Sequence, residues 1–589
     1  MEIYKTRKAE FTLELEQIRK RYNAISMARL VTIIAMLIAV FYLIKTGQGW
    51  LIFAAIGLFG IFVFLMKKHA KLSWQKKIKE ALVQINANET DYLEGHKIPF
   101  EDGFEYNDFS HPYAYDLDIF GGHSLFANLN RTTTFVGKKT LAAQLLKLLP
   151  NDEILKNQEA VKELSRKIEW RQDFMALGKI SNDNKLQYET LLRWNNAPNI
   201  PVSKLLTVLS FASPSLILLS LFAYFFTDDS EFLSYTSFLF ACNLLFLGMA
   251  FKRIKAEIQH ADNIDAIIKQ YGLILQKVES EKFIAQKLIT LQQKLNFENK
   301  NLSAQLKKLS GLFSQMDSIQ NLVTTVFFNG FFLYHLHVLK ALMRWKSQNA
   351  HALEQWLDVI GEFEMLNSLA NFSHNNPDFV FPELNANYKI SFKNLSHPLL
   401  NRKTRIGNDV AFTPGFMILT GSNMSGKSTF LRSLGVNMVL AGIGAPVCAT
   451  AANIHPLPVL VSMRLSDSLS DSESYFYAEI RRLKQIMDGL ESERAFVLLD
   501  EILRGTNSDD KRSGTIGVVK KMIESRAIGA IATHDVEVCL TTSEYPQQLS
   551  NQCFEAEIID DDLYFDYKLR PGICKNKSAT FLMKKMEII

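Results

Sequence analysis

The chain has 589 residues, a length beyond what one hydrophobic core organises, so several domains are expected. Its formal net charge of +5 is too small to demand a polyanionic partner such as DNA and does not exclude one. The cysteines Cys242, Cys448, Cys539, Cys553 and Cys574 form no C-x-x-C pair and have no histidine at metal-ligand spacing. They read as free thiols in a reducing compartment rather than as a metal site.

Residues 1–26 read as a cytoplasmic N-terminal helix. Two apolar runs follow, Leu30 to Ile44 and Trp50 to Met66, separated by the polar stretch from Lys45 to Gly49. Each run is slightly short of the roughly 20 residues that cross a bilayer, but Arg29 can snorkel and Trp50 suits the interface. A transmembrane hairpin over 27–66 is therefore expected. A cleaved signal peptide fits poorly, because a second apolar run follows at once. A helical linker over 67–111 leads into a helical region at 112–200.

A second hairpin is expected over 201–251, where the longer runs Leu205 to Phe226 and Phe232 to Phe251 are joined by an acidic loop from Thr227 to Glu231. Arg19, Lys20, Arg21, Lys67, Lys68, Lys71, Lys204, Lys252, Arg253 and Lys255 flank the outer ends of the two hairpins. The positive-inside rule then gives an integral, multi-pass protein with four spans and its flanking domains in the cytoplasm.

Residues 252–385 are expected to be long helices. No proline occurs between Pro214 and Pro377, and Ile264, Ile267, Ile268, Tyr271, Leu275 and Val278 follow helical spacing. The apolar stretch Val323 to Leu342 is interrupted by Asn329, His335, His337 and Lys340 and reads as a core helix, since a fifth span would place the C-terminal domain outside. From Phe392, within a domain at 386–589, short β-type runs alternate with helical patterns, an α/β signature.

The most specific motif lies there. Gly421, Ser422, Asn423, Met424, Ser425, Gly426, Lys427 and Ser428, with Thr429 after them, follow an apolar strand and open a helix, the context that makes such a run a P-loop. Backbone N–H groups freed by the glycines close around the phosphates of ATP, Lys427 reaches the β and γ phosphates, and Ser428 ligates Mg²⁺. Downstream, the strand from Phe496 ends in Asp500 and Glu501. Asp500 is the expected Mg²⁺ carboxylate and Glu501 the group that orients or deprotonates the attacking water. After a third strand, His534 is placed to contact the γ phosphate.

Taken with their neighbours, these motifs resemble the MutS family of DNA mismatch-repair ATPases. The resemblance is carried by Asn423 and Met424 in the loop, Asp500 to Thr506, Ala532 to His534, Leu395 to Leu399, and the tail from Phe554 to Gly572. Upstream, Asp116 to Pro150 resembles the start of the family's helical core domain and Leu357 to Ala370 its end. The fold class so implied is multidomain: a C-terminal ABC-type α/β ATPase, an all-α core and lever domain, and the two membrane hairpins. The resemblance further implies a homodimer in which Ser474 of one subunit approaches the other's γ phosphate, although Ser472 replaces the glycine often found two residues earlier.

Only about 26 residues precede the first apolar run, too few for the family's N-terminal mismatch-reading domain. DNA is therefore expected as a partner through the helical core, with mismatch-specific binding doubtful, and the lipid bilayer as a second partner. Two other functions remain open at this stage: an ABC-type transporter subunit, disfavoured by short separated spans without intramembrane charge, and an ATP-switched membrane scaffold with no DNA role.

Overall fold

The computed structural model describes residues 1–180, 183–200, 202–259, 264–295, 302–413, 415–464, 475–559 and 562–574, with residues 583 and 588. The N-terminal two-thirds is helical and the remainder is a mixed α/β unit.

The chain opens with an antiparallel pair of unusually long helices, Glu2–Thr46 and Trp50–Leu93. Gly47 turns the chain at φ 67°, a left-handed conformation that costs glycine little, and its N–H caps the first helix on the Leu43 carbonyl. Beyond the apolar segments the two helices stay paired through ions, with Arg19 on Glu80 at 2.8 Å and Lys79 on Glu14. The expected N-terminal helix, first hairpin and much of the linker are thus one continuous helical pair. Two further apolar helices, Lys204–Thr227 and Glu231–Gln259, form the second pair. All four are long and apolar enough to cross a membrane, and no more than 22% of any of their apolar windows is buried.

The helical body gathers around Tyr334–Asn375, a 42-residue helix with Leu353, Ile360, Phe363 and Leu366 fully buried. Side-chain caps set where the surrounding helices begin: Thr134 accepts from Gly137 N–H at 3.1 Å, and Asn184 from Gln187 N–H at 3.1 Å. The periodic residues from Ile264 to Val278 do form a buried helical face, but that helix ends at Glu279 and separate helices follow at Gln286–Gln293 and Leu302–Asp317. The expected core helix over Val323 to Leu342 is instead two helices, Leu322–Phe332 and Tyr334–Asn375, bent by 86° at Leu333. Leu333 adopts φ 48°, a left-handed conformation no local glycine or proline announces.

A buried polar cluster ties the first helical pair to the end of the long helix. Tyr4 donates to Asn375 Oδ1 at 2.8 Å, and Glu89 accepts from Asn371 and Asn375, each at 3.0 Å. Arg131 pairs with the same carboxylate, with both side chains almost wholly buried. A lone buried charge would be costly, so this site holds only because every member is paired.

The α/β unit has a six-stranded sheet in the order Asp562–Pro571, Leu549–Ile559, Phe416–Gly421, Ile528–Ala532, Phe496–Asp500, Val459–Ser462. All neighbours are parallel except the first pair. The three central strands are buried at every position, as a sheet covered on both faces requires. With period two, Met417, Leu419 and Leu498 join the main core with the helix Lys427–Gly442, whereas Phe416, Ile418, Val497 and Leu499 form a second core with Leu483, Val519 and Val538. A smaller sheet, Glu383–Leu384, Ala451–Ile454, Ile390–Leu395 and Asn408–Phe412, lies beside it.

Candidate functional site

The three central strands end together. Parallel pairing sets Gly421 at the end of one, and Asp500 opposite Ala532 on the next two, so the loops that leave them share the carboxyl edge of the sheet. Open parallel sheets place their ligands at this edge. The loop after Gly421 is tight. A Cβ on Gly421 would lie 2.6 Å from Ser425 Oγ, and Gly426 turns at φ 100° against the Tyr567 ring. Lys427 then opens its helix.

The Lys427 ammonium is buried and donates to the carbonyls of Gly421, at 2.8 Å, and Ser422, at 3.0 Å. Burial pushes its pKa down, opposed by Glu501 and Asp500. Asp500 sits at the buried strand end; burial pushes its carboxyl up, and the Ser428 hydroxyl opposes this. Glu501 follows at φ 49° and points the other way chemically: the hydrogen bond from His534, Nε2 to Oε1 at 2.6 Å, holds its carboxyl down at about 2. His534 Nε2 also stands 3.4 Å from Lys427 Nζ, but one nitrogen cannot donate to Glu501 and accept from Lys427 together. The shorter contact assigns the Nε2–H tautomer facing Glu501.

The segment after Glu501 is held from two sides. Arg504 donates to the carbonyls of Glu501 at 2.9 Å and Asp500 at 3.2 Å. Glu479, on the helix Tyr475–Ser492, accepts from the N–H groups of Leu503 at 2.7 Å and Arg504 at 3.1 Å. Glu501 and Leu503 both have positive φ, a conformation costing about 1–3 kcal/mol per residue, so these bonds fix a strained turn.

A cavity of about 570 Å³ opens on this edge. Asn423, Met424, Ser425, Gly426, Lys427, Ser428, Thr429 and Glu501 line one side, and His397, Leu400, Arg405, Ile406 and Tyr567 the other. Burial pushes the His397 imidazole down to about 4, which keeps that ring uncharged at neutral pH. The volume suits a nucleotide-sized ligand. Three buried oxygens of the loop and the neighbouring strand end have no hydrogen-bond partner: Ser425 Oγ, which lines the cavity, and Ser422 Oγ and Asp500 Oδ1 beside it. Such orphaned atoms fit a site built for a polyanion and its cation.

The structure thus brings together Gly421 to Thr429, Asp500, Glu501 and His534. Ser474 lies outside the described residues. Glu479 and the 397–406 wall were not among the sequence candidates. A lone glutamate on a charged helix looks like a solvated face, and only its backbone partners in the fold distinguish it. None of the five cysteines is in a disulfide, and no cluster of metal-binding side chains occurs among the described residues.

The class that fold and site define is a largely helical protein carrying a C-terminal α/β domain with a nucleotide-sized cavity at its strand ends. The family model described as MutS domain V matches residues 417–587, so this part of the chain is similar to that domain of the MutS family. Among curated relatives it is similar to MutS protein homolog 4 of Homo sapiens, 26% identical over 262 residues that cover 42% of this chain and 27% of that protein. It is also similar to the DNA mismatch repair protein MutS of Methanococcoides burtonii, 30% identical over 236 residues, 38% of this chain and 26% of the relative. The corresponding protein of Clostridioides difficile is 30% identical over 200 residues, 32% and 21% of the two chains. The matched region thus spans about a quarter of these relatives' lengths.

Proposed function

We propose that this chain is a membrane-anchored MutS-family ATPase that binds and hydrolyses ATP with Mg²⁺ and couples that cycle to DNA. The observation that carries the ATPase reading is a cavity lined by Ser425, Lys427, Ser428 and Glu501, with His534 bonded to Glu501 and the adjoining Ser422 and Asp500 each holding a buried oxygen without a partner. The 421–428 loop is a P-loop in this reading: its N–H groups and Lys427 hold the phosphates, and Ser428 and Asp500 hold the metal. Held by Ser428 and Asp500, Mg²⁺ would supply positive charge that neutralises what develops during transfer.

Glu501 takes the proton of the attacking water as its oxygen bonds to the γ phosphorus and the bond to the leaving diphosphate breaks. His534 keeps the Glu501 carboxylate oriented and ionised. Its hydrogen bond also competes with the water for Oε1, so productive geometry requires the second carboxylate oxygen or a shift of the ring. Ser474 of a partner subunit completes the site, which makes the working unit a homodimer, and the four apolar helices anchor it with the ATPase in the cytoplasm. DNA is the proposed polyanionic partner of the helical body.

Purified protein in detergent should hydrolyse ATP only with Mg²⁺, and Glu501→Gln should retain ATP while losing turnover. A variant with unchanged turnover contradicts the role given to Glu501. A salt-dependent gel shift tests the DNA partner separately, and absence of binding at low salt removes DNA while leaving the ATPase.

A further inference from the structure

The short helix Leu322–Phe332 presents an apolar face with no protein against it. Leu322 and Val323 are each 75% exposed and Phe327 is 52% exposed, with Phe328 and Phe332 beside them. Its last turn, in contrast, is packed tightly on the second hairpin. A Cβ on Gly330 would fall 2.1 Å from the Phe240 ring, Phe331 lies edge-on to the same ring at 5.1 Å, and Asn243 donates to the Gly330 carbonyl at 2.8 Å. Phe240 and Asn243 sit inside the apolar run of Glu231–Gln259, and Phe238 and Leu245 on that helix are themselves exposed. The short helix and the hairpin helix it packs on thus both leave large apolar side chains uncovered.

The bend that follows is internally satisfied. Asn329 accepts from the His335 N–H at 2.9 Å and donates to the Thr325 carbonyl at 2.7 Å, and the His335 ring meets the Ser318 hydroxyl at 3.1 Å. Irregular backbone survives at membrane depth only when its polar groups are paired within the protein. Eleven helical residues extend about 16 Å, roughly half of a 30 Å hydrocarbon core, so this element can enter a bilayer but not cross it. Lys340, one helical stretch beyond the bend, lies over the Phe211 ring at 4.6 Å and 3.5 Å from Ser210 Oγ, the placement of a charge snorkelling along an apolar span.

We infer that Leu322–Phe332 is a half-inserted, re-entrant membrane helix whose Leu322, Val323 and Phe327 face contacts lipid acyl chains. The inference rests on the reading that the second hairpin spans the membrane. It gives the 42-residue helix a foot in the bilayer and leaves the number of complete crossings at four, so both ends of the chain stay on one side.

Single cysteines at Val323 and, as a hairpin reference, at Leu218 test this in protein lacking Cys242 and Cys574, carrying an environment-sensitive fluorophore and reconstituted in phosphatidylcholine vesicles. The expected result is blue-shifted emission and quenching by bromine-labelled acyl chains at both positions. Quenching at 218 with water-like, unquenched emission at 323 overturns the re-entrant helix and leaves the hairpin reading intact, whether water or protein covers that face. No quenching at either position overturns the hairpin reading itself. A Phe327→Cys probe repeats the measurement one helical turn along, so a local defect of the Val323→Cys variant cannot decide the outcome.

Discussion

Nε2 of His534 lies 2.6 Å from Oε1 of Glu501, joining the loop after one central strand to the end of its neighbour. This contact is the main reason the Glu501 carboxyl stands at about 2 instead of 4.5. A depressed carboxyl contributes stability in full above 4.5, and that contribution is lost as pH falls from 4.5 towards 2. Glu501 is therefore already ionised throughout the neutral and mildly acid range. Replacing it by Gln should cut ATP turnover by roughly 10²-fold or more. His534→Ala should raise the Glu501 pKa towards 4.5 and move the acid limb of a kcat/KM profile upward in pH; an unmoved acid limb would contradict the pairing.

Lys427 has its ammonium on two carbonyls of its own loop. Lys427→Met removes one charged donor to phosphate, worth about 1.5–3 kcal/mol, so nucleotide affinity should fall roughly 10- to 100-fold. Titration with a fluorescent ATP analogue reads this directly. Unchanged affinity would show that the loop binds phosphate by backbone alone.

Glu479 is 5% exposed and holds two backbone N–H groups of the strained turn. Glu479→Ala should leave both unpaired at a cost of about 1–3 kcal/mol each, lowering the thermal midpoint and reducing kcat more than it changes KM. Glu479→Gln keeps one acceptor and should lie between the two. Equal changes in kcat and KM would argue for a purely structural effect.

Two glycines give opposite signs. A Cβ on Gly529 would sit 1.9 Å from the Val497 carbonyl oxygen in the neighbouring strand, where backbone cannot give way. Gly529→Ala should destabilise the α/β unit by about 3 kcal/mol or more. Gly517, inside the helix Ser508–Glu524, meets nothing within 4 Å, and Gly517→Ala should stabilise by about 0.5–1 kcal/mol. Thermal unfolding of both variants in detergent compares them.

The carboxyl edge of the large sheet was legible because its strands are short, fully apolar and punctuated by glycine or carboxylate. Phe416, Phe496 and Ile528 open strands where the pattern placed them, and Lys427 opens the following helix. The helical region was legible in type but not in its breaks. Leu333 turns the chain without glycine or proline, because a buried Asn329 side chain caps the turn through a contact between residues six apart in sequence. Glu479 was illegible for a related reason: its partners are main-chain N–H groups, which carry no sequence label. The wall from His397 to Ile406 was visible only in part, through the resemblance at Leu395 to Leu399.

The bond from Tyr4 to Asn375 has a consequence for how the protein is made. Its partners are 371 residues apart, so at ribosomal speeds of 5–20 residues per second the first helix waits about 20 to 70 s for its seat. Until then Tyr4 and Glu89, both buried in the finished molecule, stand without the long helix that pairs with them. The N-terminal pair is thus among the first parts synthesised and among the last to reach its final packing, and the α/β unit begins to emerge just as that packing closes.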